Sequence, residues 1–108
     1  MVGDWQSVED GVARIIADNS KTFDDDAIAQ IGDVMRFIRG RTPVPEVGPG
    51  YWRTSLCISW PRLSIEVFAD RLEVYRFRDK STAIQHFPHV PGTPFPEELV
   101  KTFDELRA

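Results

Sequence analysis

This 108-residue chain contains one cysteine and two histidines, the residue types that most often act as a thiolate nucleophile or as imidazole metal ligands. Cys57 is the only cysteine and therefore the only thiol available for nucleophilic catalysis. It lies in an alternating pattern that predicts a β-strand, and the predicted strand pairing puts Glu66 beside it. A neighbouring carboxylate disfavours the reactive thiolate, so we interpret Cys57 as a structural residue. A single cysteine also excludes an internal disulfide and an all-cysteine zinc site.

The two histidines, His86 and His89, are separated by two residues. Two imidazoles at this spacing bind a metal ion only when aspartate or glutamate ligands converge on them from elsewhere. Prolines at positions 88, 91 and 94 favour an extended segment, in which the two rings diverge. The sequence thus favours a surface loop and predicts neither a cofactor nor a metal. A metal ion bound by both histidines stays open as the alternative.

Motifs of the common enzyme classes are missing from the sequence. The segment Gly48-Pro49-Gly50 lacks the lysine and the serine or threonine of a phosphate-binding loop, and no Gly-x-Ser-x-Gly sequence occurs. None of the seventeen acidic residues lies in a recognisable acid–base motif. We therefore predict that the protein is not an enzyme.

Charge is distributed unevenly along the chain, whose net charge is −4. Residues 1–35 hold eight acids and two bases, whereas residues 36–80 hold five acids and nine bases, eight of them arginine. An arginine-rich segment can neutralise phosphates, which is typical of nucleic-acid binding. The overall acidity instead favours arginines that form surface ion pairs with the N-terminal acids, because dedicated nucleic-acid binders usually present a basic domain.

Length and composition are typical of one globular domain spanning residues 1–108. The chain is 42% apolar and 28% charged, close to the averages for folded domains. It is long enough to bury a single core without disulfides. No apolar run approaches the roughly 20 residues needed to cross a bilayer. We therefore expect a cytoplasmic protein without a membrane partner.

Two helices are predicted before the strands and one after them. Ser7 is the candidate N-cap of a short first helix, and Asp24 is the N-cap of the second helix. The apolar stripe of the second helix comprises Ile28, Ile31, Val34, Met35 and Ile38. Gly40 ends this helix, and the Pro/Gly-rich residues 42–50 form an extended connector. The last helix begins at Pro96.

Between the connector and the last helix, apolar and polar residues alternate, which predicts a β-meander. Breaks at Pro61-Arg62 and Ala69-Asp70 separate three strands, and residues 83–87 form a fourth. The pairs expected across the two hairpins are Trp60–Leu63, Ile58–Ile65, Val67–Leu72 and Ile65–Val74. These side chains share one face, which places Glu66 opposite Glu73. The predicted fold class is α+β, an antiparallel meander of three to four strands with N-terminal helices and a C-terminal helix packed on it.

Part of the chain resembles a group of small bacterial proteins. The resemblance is carried by the run from Asp24 to Ile38, by Thr42-Pro43-Val44-Pro45, and by Leu56-x-Ile58-x-Trp60 and Leu63-x-Ile65-x-Val67. In that group an acidic-capped helix leads through a Pro-x-Pro connector into a meander whose first strand ends in tryptophan. The chain lacks the group's Trp-Asp-Gly-like segment and its Gly-rich Asp-Gly turn. Because the group has no characterised function, the resemblance implies a bacterial, cytoplasmic origin and no activity.

The second face of the predicted sheet has the composition of an interaction surface. It displays Phe68, Tyr75 and Phe77 beside Arg53, and aromatic residues and arginine are enriched at protein interfaces. We predict a non-enzymatic interaction protein, of the accessory, inhibitor or immunity type, that binds a protein partner or forms a homodimer through this face. The competing interpretation is that the C-terminal helix folds over the aromatics and buries them within the monomer.

A nucleic-acid-binding module is the alternative function. Aromatic side chains surrounded by arginine stack on bases. The arginines that would surround Tyr75 and Phe77 are Arg53, Arg62, Arg71, Arg76 and Arg78. The acidity of the chain makes a nucleic-acid partner the less favoured of the two.

Overall fold

An antiparallel sheet with helices on one side forms the framework of the protein. A computed structural model describes residues 4–19, 23–50, 55–78 and 81–106, and in these residues the chain forms five strands and three helices. The helices are α1 (Trp5–Asp18), α2 (Asp25–Ile38) and α3 (Glu97–Glu105). The strands are β1 (Glu46–Pro49), β2 (Leu56–Trp60), β3 (Leu63–Val67), β4 (Arg71–Arg78) and β5 (Ser81–Pro88). They lie in the order β1-β2-β3-β4-β5, so the predicted α+β class is confirmed.

The register of the meander is the one predicted from the sequence. The structure contains the pairs Trp60–Leu63, Ile58–Ile65, Ile65–Val74 and Val67–Leu72. Glu66 lies opposite Glu73, also as predicted. Since side chains alternate along a strand, this register turns the whole apolar set to one face.

The prediction of three to four strands is wrong, because the sheet has five described strands. The additional strand is β1, which lies in the segment predicted as a connector and pairs Val47 with Ile58. Proline and glycine weaken a central strand, but an edge strand tolerates both. At the other edge, β5 is longer than the predicted residues 83–87, and it includes His86.

Helix α1 packs against β1 through a glycine. A Cβ atom on Gly11 would lie 3.0 Å from Cγ2 of Val47, so the missing side chain permits the close approach of helix and strand. The predicted N-cap at Ser7 is wrong. Asp4 caps the helix, and its Oδ1 accepts a 2.8 Å hydrogen bond from the backbone N–H of Ser7.

Helix α2 begins and ends as the sequence predicts. The Oδ1 atom of Asp24 accepts a 2.8 Å hydrogen bond from the N–H of Ala27, and Gly40 follows the helix with a φ of 77°. The predicted apolar stripe needs one correction. Ile28 is 40% exposed, whereas Gln30 is fully buried because its side chain bonds to His89.

The core lies between the sheet and the helices. Helices α2 and α3 meet over the sheet, where the ring centroid of Phe103 is 5.4 Å from that of Phe37 and 6.4 Å from that of Trp60. Val12 of α1 belongs to the same apolar cluster. All three described helices therefore cover one face of the sheet. None of them is long and apolar enough to span a membrane.

Candidate interaction surface

The opposite face of the sheet carries none of the described helices, and we call it the open face. Its side chains are the alternate residues of each strand, in register with Ser59 and Cys57 of β2. The described residues of this face include Glu46, Cys57, Ser59, Ser64, Glu66, Arg71, Glu73, Tyr75, Phe77, Thr82, Ile84 and His86. Polar residues dominate β1 to β3, whereas aromatic and aliphatic residues lie on β4 and β5.

Two carboxylates at the centre of the open face are buried beside each other. Glu66 is 3% exposed and Glu73 is 8% exposed. The hydroxyl of Tyr75 donates a 2.7 Å hydrogen bond to Glu73 and lies 3.5 Å from Glu66. Ser55 donates a 2.6 Å hydrogen bond to the other oxygen of Glu66. Hydroxyl donors thus replace water around a like-charge pair that would otherwise destabilise the sheet.

Among the described residues, basic side chains contact only one of these carboxylates. The Nε atom of Arg71 lies 2.9 Å from Oε2 of Glu73, and Nδ1 of His86 lies 3.2 Å from the same oxygen. Among the described residues, Glu66 has no ion pair. The positive charge of Arg71 therefore offsets part of the repulsion between the carboxylates of Glu66 and Glu73. Arg53 lies outside the described residues.

Burial and hydrogen bonding shift two ionisation equilibria in this cluster. Burial raises the pKa of Glu73, but hydrogen bonds from Tyr75 and Arg71 and the charges of Arg71 and His86 outweigh it, so the pKa lies below its usual value. Burial and then the hydrogen bond to Glu73 raise the pKa of Tyr75, and the charge of Glu66 adds to the shift. The cluster therefore holds the glutamate as carboxylate and the tyrosine as phenol.

Cys57 belongs to a row of small polar side chains. It pairs with Glu66, as predicted, and its Sγ atom lies 3.4 Å from the hydroxyl oxygen of Ser59. Ser59 in turn lies 3.0 Å from the hydroxyl oxygen of Ser64. Among the described residues, the neighbours of the thiol are hydroxyl groups and a carboxylate, so the structural role of Cys57 stays a prediction.

The aromatic residues predicted to form an interface divide into two groups. Phe77 is 45% exposed and Tyr75 is partly exposed. Phe68 is only 6% exposed, because the guanidinium of Arg71 lies 4.0 Å from its ring centroid, so it offers no surface to a partner. The α3 helix packs on the other face of the sheet through Phe103, and although Thr102 and Glu105 line a cavity with Phe77, that ring stays exposed.

Ile84 is a surface residue that the sequence reasoning missed. It pairs with Tyr75 across β4 and β5 and is 52% exposed. The alternation of Thr82, Ile84 and His86 is the signal that could have placed it on the open face. Tyr75, Phe77 and Ile84 thus form the apolar part of this face.

The arginines proposed to surround Tyr75 and Phe77 lie in different parts of the described structure, and Arg53 lies outside the described residues. Arg76 lies on the helical face, where it donates hydrogen bonds of 2.9 Å to Glu105 and to Thr102. Arg62 lies in the turn between β2 and β3, where its carbonyl oxygen accepts a 3.0 Å hydrogen bond from the N–H of Phe77, and the two residues line one cavity. Arg78 is the last residue of β4. Of the described members of this set, Arg71 therefore lies on the open face and Arg62 lies at its end, beside Phe77.

The two histidines lie on opposite sides of the sheet. His86 is on the open face beside Glu73. His89 is buried against α2, with Nδ1 2.5 Å from Oε1 of Gln30 and Nε2 2.8 Å from the carbonyl oxygen of Thr93. Its ring stacks on Phe95 at a centroid distance of 4.3 Å. The two imidazoles therefore cannot share a metal ion, and no His/Cys/Asp/Glu cluster suited to a metal is found among the described residues.

A shallow cavity of about 480 Å³ lies between α2 and the segment before α3. Phe37 and Phe95 line it and contact each other edge-to-face at 4.9 Å. Asp33 accepts a 2.7 Å hydrogen bond from the N–H of Gly92 and pairs with Arg36. The polar groups of this cavity are thus engaged in holding the segment against α2.

A comparison with family models, curated proteins and solved structures gives no match for this chain. The resemblance to the bacterial group therefore stays a prediction. Function has to be argued from the residues of the open face.

Proposed function

We propose that this chain is a non-enzymatic interaction protein, of the accessory, inhibitor or immunity type, whose open face binds a basic protein partner. One observation carries the proposal: a sheet face without described helices combines apolar side chains that are exposed or partly exposed with carboxylates at its centre and at its β1 edge. The apolar members are Tyr75, Phe77 and Ile84, and the carboxylates belong to Glu46, Glu66 and Glu73.

The apolar members are adjacent and accessible. Tyr75 pairs with Ile84, and Phe77 is the next residue of β4 on the same face. A water-facing side of an antiparallel sheet is normally polar. An exposed group of aromatic and aliphatic side chains beside a polar region has the composition of an interface core and its rim.

The charge of the open face selects the class of partner. Among the described residues, the three glutamates Glu46, Glu66 and Glu73 outnumber the arginines of this face. Arg71 is already paired with Glu73 and Asp70, and Arg62 lies at the end of the face beside Phe77. An excess of carboxylates attracts a basic surface and accelerates its association. A second copy docked on this face would oppose carboxylate to carboxylate, so the partner proposed here is a different protein.

The same charge disfavours the nucleic-acid alternative. Phosphate groups need lysine or arginine, and the carboxylates beside Tyr75 would repel them. Arg76, which that alternative requires on this face, is bonded to Glu105 and Thr102 on the other.

The test compares two matched serine variants. Phe77→Ser removes an aromatic side chain from the open face, and Ile28→Ser removes a similarly exposed apolar side chain from α2. Proteins retained from a host extract by the wild type and by Ile28→Ser, but not by Phe77→Ser, are purified and titrated against all three chains. We expect a basic protein whose affinity falls roughly tenfold or more in Phe77→Ser and decreases with salt.

Two outcomes contradict the proposal. One is that every purified candidate binds Phe77→Ser as tightly as the wild type. The other is that a single-stranded RNA or DNA oligonucleotide binds at low salt and loses affinity in Phe77→Ser, which would support the nucleic-acid alternative.

A further inference from the structure

Strand β5 forms one edge of the sheet and, among the described strands, pairs only with β4. It is eight residues long, and residues 81–86 are all exposed. A long edge strand presents a row of backbone N–H and C=O groups that can pair with another strand. The edge at β5 is therefore accessible for strand addition.

The other edge of the sheet is protected. Strand β1 has four residues, includes Pro49, follows Pro45 and carries the charge of Glu46. Short length, proline and charge are the features that prevent edge-to-edge pairing. In β5 the only proline is the final residue, and residues 81–96 contain no aspartate, glutamate, lysine or arginine.

We propose that two copies of this chain pair antiparallel through β5, about a twofold axis at Ile84, and join their sheets into one continuous sheet. The pairing uses the strand edge and does not depend on the function proposed for the open face.

The backbone hydrogen bonds identify the groups that are free to pair. Phe68 N–H donates to the carbonyl of Arg71 at 2.9 Å, and His89 N–H donates to the carbonyl of Asp70 at 3.0 Å. Because hydrogen-bonded pairs alternate along antiparallel strands, residues 81, 83, 85 and 87 bond to β4. The backbone groups of Thr82, Ile84 and His86 then point away from the sheet.

A twofold axis at Ile84 uses all of these outward groups. Ile84 pairs with Ile84 of the second copy, and Thr82 pairs with His86 of the second copy, giving about six backbone hydrogen bonds. An axis at Thr82 or at His86 would shorten the overlap. The axis at Ile84 also brings two exposed isoleucines together on the open-face side, where each continues the apolar residues of its own chain.

A second copy suits this edge because the strand carries no formal charge at neutral histidine. Elsewhere the acidic chain, with its net charge of −4, would oppose like charges to one another. Eight residues span about 27 Å, so pairing through one strand buries less than the roughly 800 Å² per partner of a standard interface. The dimer should therefore be weak and concentration-dependent.

Analytical ultracentrifugation under reducing conditions, from about 10 μM to about 1 mM, tests the proposal. The reductant excludes dimers linked through Cys57. We expect the molar mass of the wild type to rise from monomer towards dimer. Ile84→Lys should remain monomeric because the twofold axis opposes its two ammonium groups, whereas Ile28→Lys, the same change at an exposed isoleucine of α2, should dimerise like the wild type.

Hydrogen exchange on the wild type gives a second measurement that needs no variant. The amides of Thr82, Ile84 and His86 should exchange more slowly as concentration rises, while those of residues 83 and 85 stay unchanged. A wild type that is monomeric throughout, or a dimer retained by Ile84→Lys, overturns the proposal. A dimer lost in Phe77→Ser but kept in Ile84→Lys would place self-association on the open face, and so would contradict the β5 pairing as well.

Discussion

The hydroxyl of Tyr75 donates a 2.7 Å hydrogen bond to the carboxylate of Glu73, two residues earlier on the same face of β4. This bond lets a buried carboxylate lie opposite a second one, Glu66, in the middle of a sheet. A buried acceptor that loses its donor pays the full cost of desolvation. The hydroxyl of Tyr75 therefore contributes to the stability of the sheet centre.

Tyr75→Phe tests this dependence directly, because it removes only the hydroxyl. We expect the free energy of unfolding to fall by about 1–3 kcal/mol, since Glu73 is left with one donor fewer in a buried position. Urea denaturation of Tyr75→Phe, Glu73→Gln and the double variant measures the coupling between the two side chains. An unchanged urea midpoint in Tyr75→Phe would contradict the expectation.

Acid should remove part of the stability that Glu73 provides. The pKa of Glu73 is lower in the folded chain than its ordinary value of 4.5. A lowered folded pKa contributes stability above pH 4.5, and this contribution is lost as the pH falls through the folded pKa. The difference in unfolding free energy between the wild type and Glu73→Gln should therefore shrink between about pH 6 and about pH 3. A difference that stays constant over this range would show that Glu73 is not the responsible group.

Two phenylalanines that look equivalent in the sequence should respond differently to serine. Phe68→Ser should lower the free energy of unfolding by about 3–5 kcal/mol, because the ring is buried under Arg71. Phe77→Ser should change it by about 0.5 kcal/mol or less, because the ring is 45% exposed. Thermal or chemical denaturation of the two variants measures both changes. Equal losses of unfolding free energy would show that Phe77 is part of the core.

The two histidines should also differ. His89→Ala should cost about 2–4 kcal/mol, because it leaves the buried Oε1 of Gln30 without the imidazole and removes the stack on Phe95. His86→Ala should cost about 0.5 kcal/mol or less, because that ring is exposed and Glu73 keeps its hydrogen bonds from Tyr75 and Arg71. If the two variants unfold at the same urea concentration, His89 does not anchor its segment to α2.

The sequence by itself determined the register of the meander and the ends of α2. In the meander, residues 58, 65 and 74 alternate with polar neighbours, and the short turns leave one register that puts every apolar residue on one face. Asp24 and Gly40 act on backbone groups within their own helix. Such features are local, so a pattern of neighbouring residues is sufficient to predict them. Part of the candidate site, Tyr75 and Phe77 with the Glu66–Glu73 pair, followed from the same register.

The tertiary structure alone decided which surfaces are covered. Helix α3 packs on Phe37 and Trp60, so Tyr75 and Phe77 stay uncovered by it, whereas Phe68 is buried although it follows the same alternation. Gln30 is buried and Ile28 is exposed, because a histidine 59 residues away forms the hydrogen bonds that a buried glutamine amide needs. Strand β1 exists because β2 supplies its partners and α1 packs on it, which outweighs the local preference of proline and glycine for a connector. Burial and strand pairing depend on residues that are distant in the chain, so the local periodicity of the sequence does not predict them.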